Sequence, residues 1–116
     1  MRESRHVGSH VARPADEVYA YLCDATHLPE WAAGVASAVE VRFVPPNEHL
    51  VLDHDVSLPD GTVTTNSMRV LRDGAGCEVV FTVRRLEGTS DEELDADVAA
   101  VRADLESLKR LLEGDR

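Results

Sequence analysis

The chain has 116 residues, a length that fits a single domain, 1–116. Twelve Lys and Arg against 22 Asp and Glu give a net charge of −10, which repels nucleic acid and anionic membrane surfaces. No apolar leader follows the N-terminus, and no segment reaches the ~20 apolar residues of a membrane span. We therefore expect a cytoplasmic protein with no nucleic-acid partner and no membrane insertion.

The N-terminal third predicts one strand and two short helices. Residues 3–12 alternate between valine and polar side chains, which predicts a strand. Residues 14–23 begin with proline and two acids and continue with apolar side chains at helical spacing, which is typical of a short amphipathic helix. Asp24 is placed to cap a second helical piece, Ala25–Ala32, and Gly34 ends it.

The middle of the chain changes from helical period to period two and predicts a meander of antiparallel strands. The predicted strands are Ala38–Val44, Glu48–Val56, Thr62–Arg72 and Cys77–Leu86. The turns between them contain Pro45-Pro46-Asn47, Pro59-Asp60-Gly61 and Asp73-Gly74-Ala75-Gly76.

The C-terminal segment predicts a long helix, 91–113, that begins with a capping box formed by Ser90 and Glu93. Apolar residues recur along it at steps of four and three: Leu94, Val98, Val101, Leu105, Leu108 and Leu112. This stripe can be a coiled-coil seam or the core face of a helix that covers a sheet. We favour the second interpretation, because the stripe is bordered by Ala99, Ala100, Ala103 and Leu111 and is wider than a strict seam.

The two cysteines, Cys23 and Cys77, do not have the spacing of a metal or redox pair. A disulfide between them is one interpretation. Two buried free thiols in a reducing cytoplasm is the interpretation that we favour.

The sequence Asp53-His54-Asp55 suggests a metal or acid–base cluster, but alternation along a strand places the two aspartates on one face and His54 on the other. We therefore expect Asp53, Asp55 and His49 to form a solvated face, and we predict no metal site.

His54 shares its predicted face with Leu50, Leu52 and Val56 and should point inward. An inward imidazole can orient or protonate a carbonyl group of a ligand. The alternative is a core histidine that is hydrogen-bonded to neighbouring backbone or to Asn66.

On the next predicted strand, Asn66 and Met68 face inward. Arg69 faces the other way. A different register would turn Arg69 inward, where it could pair with an anionic ligand group.

Three segments together resemble the START/Bet v 1-like (SRPBCC) superfamily, and within it the polyketide cyclase/dehydrase-like group. They are the strand-to-helix run over residues 10–24, the sequence Leu28-Pro29-Glu30-Trp31 followed shortly by Gly34-Val35, and the long terminal helix after a block of hairpins. The resemblance covers essentially the whole chain.

The resemblance implies an α+β helix-grip fold, in which a curved antiparallel sheet of about five to six strands wraps around the C-terminal helix. In that superfamily the space between sheet and helix holds hydrophobic ligands such as sterols, lipids, polyketides or plant hormones. This chain is shorter than fuller members with six or seven strands, which leaves the volume of its cavity open.

The function expected from these features is binding of a polyketide-, lipid- or aromatic-like small molecule, with no cofactor. The predicted ligand-binding residues are Trp31, Leu52, His54, Asn66, Met68, Phe81, Val101 and Leu105. One alternative is a polyketide cyclase, aromatase or dehydratase in which His54 is the catalytic residue. Another is a protein-interaction module with a filled pocket. A homodimer through an edge strand or the helix stripe is compatible with all three.

Overall fold

The computed structural model describes residues 3–32 and 38–114. The elements follow one another as β1 (Ser4–Val11), α1 (Ala15–Cys23), α2 (Leu28–Trp31), β2 (Glu40–Phe43), β3 (His54–Ser57), β4 (Val63–Asp73), β5 (Gly76–Arg84) and α3 (Asp91–Leu112). A single 3-10 turn, Ala25–His27, joins α1 to α2. The part of the resemblance carried by Gly34 and Val35 lies outside the described residues.

The described strands form one curved antiparallel sheet in the order β1-β5-β4-β3-β2. The first strand of the chain pairs with the last, along Ser4–Arg84 to Val11–Cys77, while β2 lies at the opposite edge. Because α3 follows β5 directly, it returns across the inner face of the sheet, where it contacts β1, β5 and α2. The predicted α+β helix-grip fold is confirmed, with five strands in the described residues.

The apolar stripe of α3 is the core face of an intramolecular helix, as predicted. Leu94, Leu105 and Leu108 are at most 1% exposed, and the rest of the stripe is partly buried. Of the residues on the border of the stripe, Ala99, Ala103 and Leu111 are exposed, whereas Ala100 lines the cavity described below. An open sheet covers one side of the helix only, so the outer flank of the stripe faces solvent.

The predicted helix starts agree with the structure to within one residue. The side chain of Asp24 accepts a hydrogen bond of 3.0 Å from the backbone N–H of Thr26. Both hydrogen bonds of the capping box at α3 are present: the Ser90 hydroxyl accepts from the N–H of Glu93 at 3.1 Å, and the Glu93 carboxylate accepts from the N–H of Ser90 at 3.0 Å. Pro14 lies at the N-cap of α1, one residue before its predicted place.

The predicted strand Glu48–Val56 was too long, because only its last part forms β3. Asn47 explains the difference, since its side-chain oxygen accepts hydrogen bonds of 3.1 Å from the N–H groups of both His49 and Val51. These bonds hold a tight loop, in which Leu50 has a φ of 57°. A side chain therefore takes the place of a strand partner here.

Every second side chain nevertheless points inward along this loop. Leu50, Leu52 and His54 are all buried. The N–H of Leu52 donates to the carbonyl of Met68 at 2.8 Å, and the N–H of Met68 donates to the carboxylate of Asp53 at 3.0 Å. Asp53 thus replaces a backbone acceptor and is half-buried, which corrects the prediction that it belongs to a fully solvated face.

Both cysteines are free thiols, as predicted. Cys77 is fully buried in β5, and burial raises the pKa of its thiol. Cys23, at the end of α1, is only half-buried, so the prediction of burial holds for one of the two. Within residues 3–32 and 38–114, no helix has the length and hydropathy that crossing a membrane requires.

The packing of α3 predicts a large difference between two leucines on the same helix. Leu108 is 0% exposed and Leu111 is 47% exposed. We expect Leu108→Ala to lower the free energy of unfolding by about 2–5 kcal/mol, because it leaves a cavity in the core. Leu111→Ala should change it by less than about 0.5 kcal/mol. Urea denaturation followed by circular dichroism measures both. Similar losses for the two variants would mean that another surface covers Leu111.

Candidate functional site

A cavity of about 440 Å³ lies between the inner face of the sheet, the end of α2 and the helix α3. Its wall is mainly apolar and aromatic, with a smaller number of polar groups. The residues that line it are Leu28, Trp31, Ala32, Phe43, His54, Thr64, Thr65, Asn66, Ser67, Met68, Phe81, Thr82, Val83, Arg84, Leu86, Asp97, Ala100, Val101, Asp104 and Leu105.

The cavity lies where the ladder between β4 and β5 ends. Residues Val63 to Asn66 of β4 pair with β3, whereas Ser67 to Asp73 pair with β5. The ladder between β4 and β5 ends at the pair Ser67–Thr82. Residues on both strands around and beyond that pair line the cavity. The end of the ladder therefore separates the two strands and makes room for the site.

His54 is the most deeply buried polar residue of the cavity wall, at 7% exposed. The strand register places Phe43, His54 and Asn66 side by side in one row across β2, β3 and β4. The imidazole also lies near two aromatic rings, with centroids 5.0 Å from Phe43 and 5.9 Å from Phe81. His54 thus points inward, as predicted, into an aromatic surrounding.

The hydrogen bonding of His54 determines what its imidazole can do. Nδ1 lies 2.9 Å from the carbonyl oxygen of Leu52. Because a carbonyl can only accept, Nδ1 carries a hydrogen, and in the neutral ring Nε2 presents a lone pair. The ring makes no second hydrogen bond to the described residues. The prediction of a core histidine bonded to neighbouring backbone therefore holds for Nδ1, while Nε2 has no hydrogen-bond partner among the described residues.

Burial lowers the pKa of His54 below its ordinary value of 6.5. The Leu52 carbonyl and the negative charges of Asp53 and Asp55 act in the opposite direction and offset part of this effect. The neutral imidazole is thus the form that the site favours near pH 7.

Two acidic residues of α3, Asp97 and Asp104, line the cavity opposite the sheet. Burial is the one cause that shifts the pKa of Asp104, and it raises it. Neither residue was among the predicted ligand-binding residues. Their spacing was a usable signal, because Asp97, Val101, Asp104 and Leu108 follow one another at steps of four, three and four and so share one helix face.

Seven of the eight predicted ligand-binding residues line the cavity: Trp31, His54, Asn66, Met68, Phe81, Val101 and Leu105. Leu52 does not. It lies in the core at 1% exposed and contributes its carbonyl to His54. Arg69 is exposed, so the alternative register that turned it inward was wrong. Ligand contact by these residues stays a prediction.

The sequence Asp53-His54-Asp55 does not converge on one point. The Asp53 carboxylate accepts from the backbone of Met68, and the Asp55 carboxylate accepts from the Thr65 hydroxyl at 2.6 Å. Among residues 3–32 and 38–114, no group of three or more His, Cys, Asp or Glu is placed to hold a metal ion.

The state of His54 can be measured directly. We expect its ring to titrate below pH 6.5 and to carry its hydrogen on Nδ1 above that pH, because it is buried and donates to Leu52. Long-range proton–nitrogen NMR spectra distinguish the two neutral forms, and the signals of His54 are assigned by their loss in His54→Gln. A neutral ring with its hydrogen on Nε2 would contradict the arrangement.

No protein-family model matches the sequence, and no curated protein matches it. Solved structures do share its fold. CalU16 from Micromonospora echinospora has a TM-score of 0.72 at 14% identity, over 99% of this chain and 77% of CalU16. The Aha1 dimer from Colwellia psychrerythraea has a TM-score of 0.73 at 14% identity, over 98% of both chains.

A third structure, the Zhui aromatase/cyclase from a Streptomyces strain, has a TM-score of 0.59 at 17% identity, over 97% of this chain and 94% of that enzyme. At such identities the likeness establishes the fold alone. This fold agrees with the motifs on which the predicted resemblance rests. The chain has the helix-grip fold of the START/Bet v 1-like (SRPBCC) proteins.

Proposed function

We propose that the protein binds a hydrophobic small molecule, aromatic or polyketide-like in shape, in the cavity between the sheet and α3. The observation that carries this proposal is the cavity itself, at about 440 Å³. Small-molecule sites are typically concave, mostly apolar and roughly 300–1,000 Å³ in volume, with a few polar groups that orient the ligand.

The aromatic residues of the wall favour an aromatic ligand. Trp31, Phe43 and Phe81 present rings from three different elements, and Met68 adds an adaptable side chain at 1% exposed. Aromatic rings prefer offset or edge-to-face contacts with other rings, which adds to the energy of burial alone. A ring system uses such a wall more fully than a single acyl chain does.

Catalysis on the bound molecule is the second candidate function, and the free lone pair of His54 favours it. A neutral imidazole whose Nδ1–H is held by a carbonyl is arranged as a general base. It would remove a proton from a carbon or oxygen atom of the ligand, and the ring would become cationic in the step. One protein of similar fold is an aromatase/cyclase, which agrees with this chemistry but does not assign it to this chain.

The unfilled cavity counts against a protein-interaction module with a filled pocket. The apolar stripe of α3 is used in the core, so a homodimer through that stripe is also disfavoured. A dimer through a sheet edge, at β1 or β2, stays a prediction that size-exclusion chromatography with light scattering tests.

Binding can be tested with the neutral fluorescent probe N-phenyl-1-naphthylamine and two matched tryptophan substitutions. Ala99 and Ala100 are both exposed on α3, but only Ala100 lines the cavity. We expect the probe to bind the native protein with increased fluorescence. Ala100→Trp should weaken binding by about tenfold or more, because it narrows the cavity, while Ala99→Trp should leave it unchanged.

Probe fluorescence that does not change with the native protein would contradict the proposed function. Equal weakening by the two variants would place the probe elsewhere. Native mass spectrometry of the gently purified protein complements this test, because a bound apolar compound adds mass that disappears on denaturation.

The catalytic candidate has a separate test that needs no knowledge of the natural substrate. We expect the protein to accelerate exchange of the acidic C–H protons of 1-(1-naphthyl)propan-2-one with D₂O, followed by NMR. His54→Gln should slow that exchange by about 10²-fold, the usual contribution of a general base. His49→Gln, in an exposed loop, is the control. Equal rates for native protein and His54→Gln would remove His54 from any such chemistry.

A further inference from the structure

The polar groups of the cavity indicate which head group a ligand carries, and this inference rests on the proposed binding function. His54 is more than nine-tenths buried, lines the cavity and has its Nε2 atom without a partner among the described residues. In the neutral ring that atom can only accept a hydrogen bond. A ligand group that meets it must therefore be a donor, such as an ammonium or hydroxyl group.

The charges around the cavity point in the same direction. The ionisable residues of its wall come from three elements: His54 from β3, Arg84 from β5, and Asp97 and Asp104 from α3. With a neutral imidazole, one guanidinium and two carboxylates leave a formal charge of 1 − 2 = −1 at the site. The chain as a whole carries −10. Both charges favour a cationic ligand over an anionic one.

Asp104 gives a second, local reason to expect a cationic ligand. It is half-buried, its burial raises its pKa, and its carboxylate makes no hydrogen bond or ion pair to the described residues. A carboxylate that has lost part of its hydration without gaining a partner is stabilised by a positive charge placed beside it. Arg84 does not meet this need, because it is exposed and forms no ion pair within the described ranges.

We propose that the cavity selects an aromatic compound that bears a protonated amine, with the amine held by Asp104 and a donor hydrogen directed at His54 Nε2. The same skeleton with a carboxylate binds weakly, because the carboxylate offers no hydrogen to the imidazole and is repelled by α3. Asn66 stands next to His54 and can accept or donate, so it does not discriminate between the two.

The test displaces N-phenyl-1-naphthylamine from the full chain with three probes on one skeleton: 2-(1-naphthyl)ethylamine, 2-(1-naphthyl)ethanol and 1-naphthylacetate. We expect affinity to fall in that order, with a difference of about tenfold or more between amine and acetate, as expected for a charge-assisted hydrogen bond. Acetate binding as tightly as the amine would overturn the inference.

Two variants with the same change in net charge separate a local contact from the general field. Asp104 lines the cavity, whereas Glu106 is exposed on α3 and does not. Asp104→Asn should weaken the amine by about tenfold and leave the alcohol nearly unchanged, while Glu106→Gln should change the amine by less than about twofold. Equal effects of the two variants would show attraction by net charge only and overturn the assignment of Asp104.

His54→Phe removes the Nε2 lone pair and keeps an aromatic ring of similar size, so it tests whether that lone pair accepts a hydrogen bond from the ligand. It should weaken the amine and the alcohol but not the acetate, because the acetate has no donor hydrogen to lose a partner. Equal weakening of every probe would mean that His54 supports the fold rather than the ligand.

If N-phenyl-1-naphthylamine fails to bind the native protein at all, the proposed function itself is contradicted. A bound probe with the wrong order of head groups overturns only the choice of ligand.

Discussion

The burial of the α3 leucines against the open sheet is the constraint on which the other features depend. A single five-stranded sheet has no second sheet to cover its inner face, so one long amphipathic helix must do so. Leu94 at one end and Leu105 and Leu108 toward the other end make that contact. Between them, Val98 and Val101 are only partly buried, and Val101 faces the cavity. The helix is thus held at both ends and spans a space in the middle.

The sheet contributes to the same space where the ladder between β4 and β5 ends, at the pair Ser67–Thr82. Asn66 and Met68, which lie beside this end of the ladder, line the opening between sheet and helix. His54, opposite Asn66, lies at the same place.

The features that follow local rules were predictable from the sequence. Period-two patterns located the strands, the capping box located the start of α3, and alternation placed His54 inward even though its segment is mostly loop. The loop itself depends on the side chain of Asn47, and alternation alone does not reveal it. Asp53 is a similar case, because its bond to the Met68 backbone depends on which strand lies beside it.

The cavity wall on α3 shows the other limit of sequence reasoning. Periodicity identified the axis of the buried stripe but not which flank turns toward the sheet opening and which toward solvent. Asp104 and Ala100 lie on the cavity side, whereas Ala99, Ala103 and Leu111 are exposed away from it. That distinction depends on the rotation of the helix about its own axis, which is set by contacts with β1, β5 and α2.

The polar groups of the cavity also constrain any ligand energetically. While the site is empty, water can solvate His54 Nε2 and the Asp104 carboxylate. A ligand that displaces this water without offering donors leaves a buried acceptor and a partly buried charge without partners, which costs about 1–3 kcal/mol for the neutral group and more for the charged one. A wholly apolar molecule loses that much of the energy gained against Trp31, Phe43 and Phe81. A molecule with an aromatic body and a donor at one end retains both contributions, so the mixed character of the wall favours an amphipathic ligand over a simple hydrocarbon.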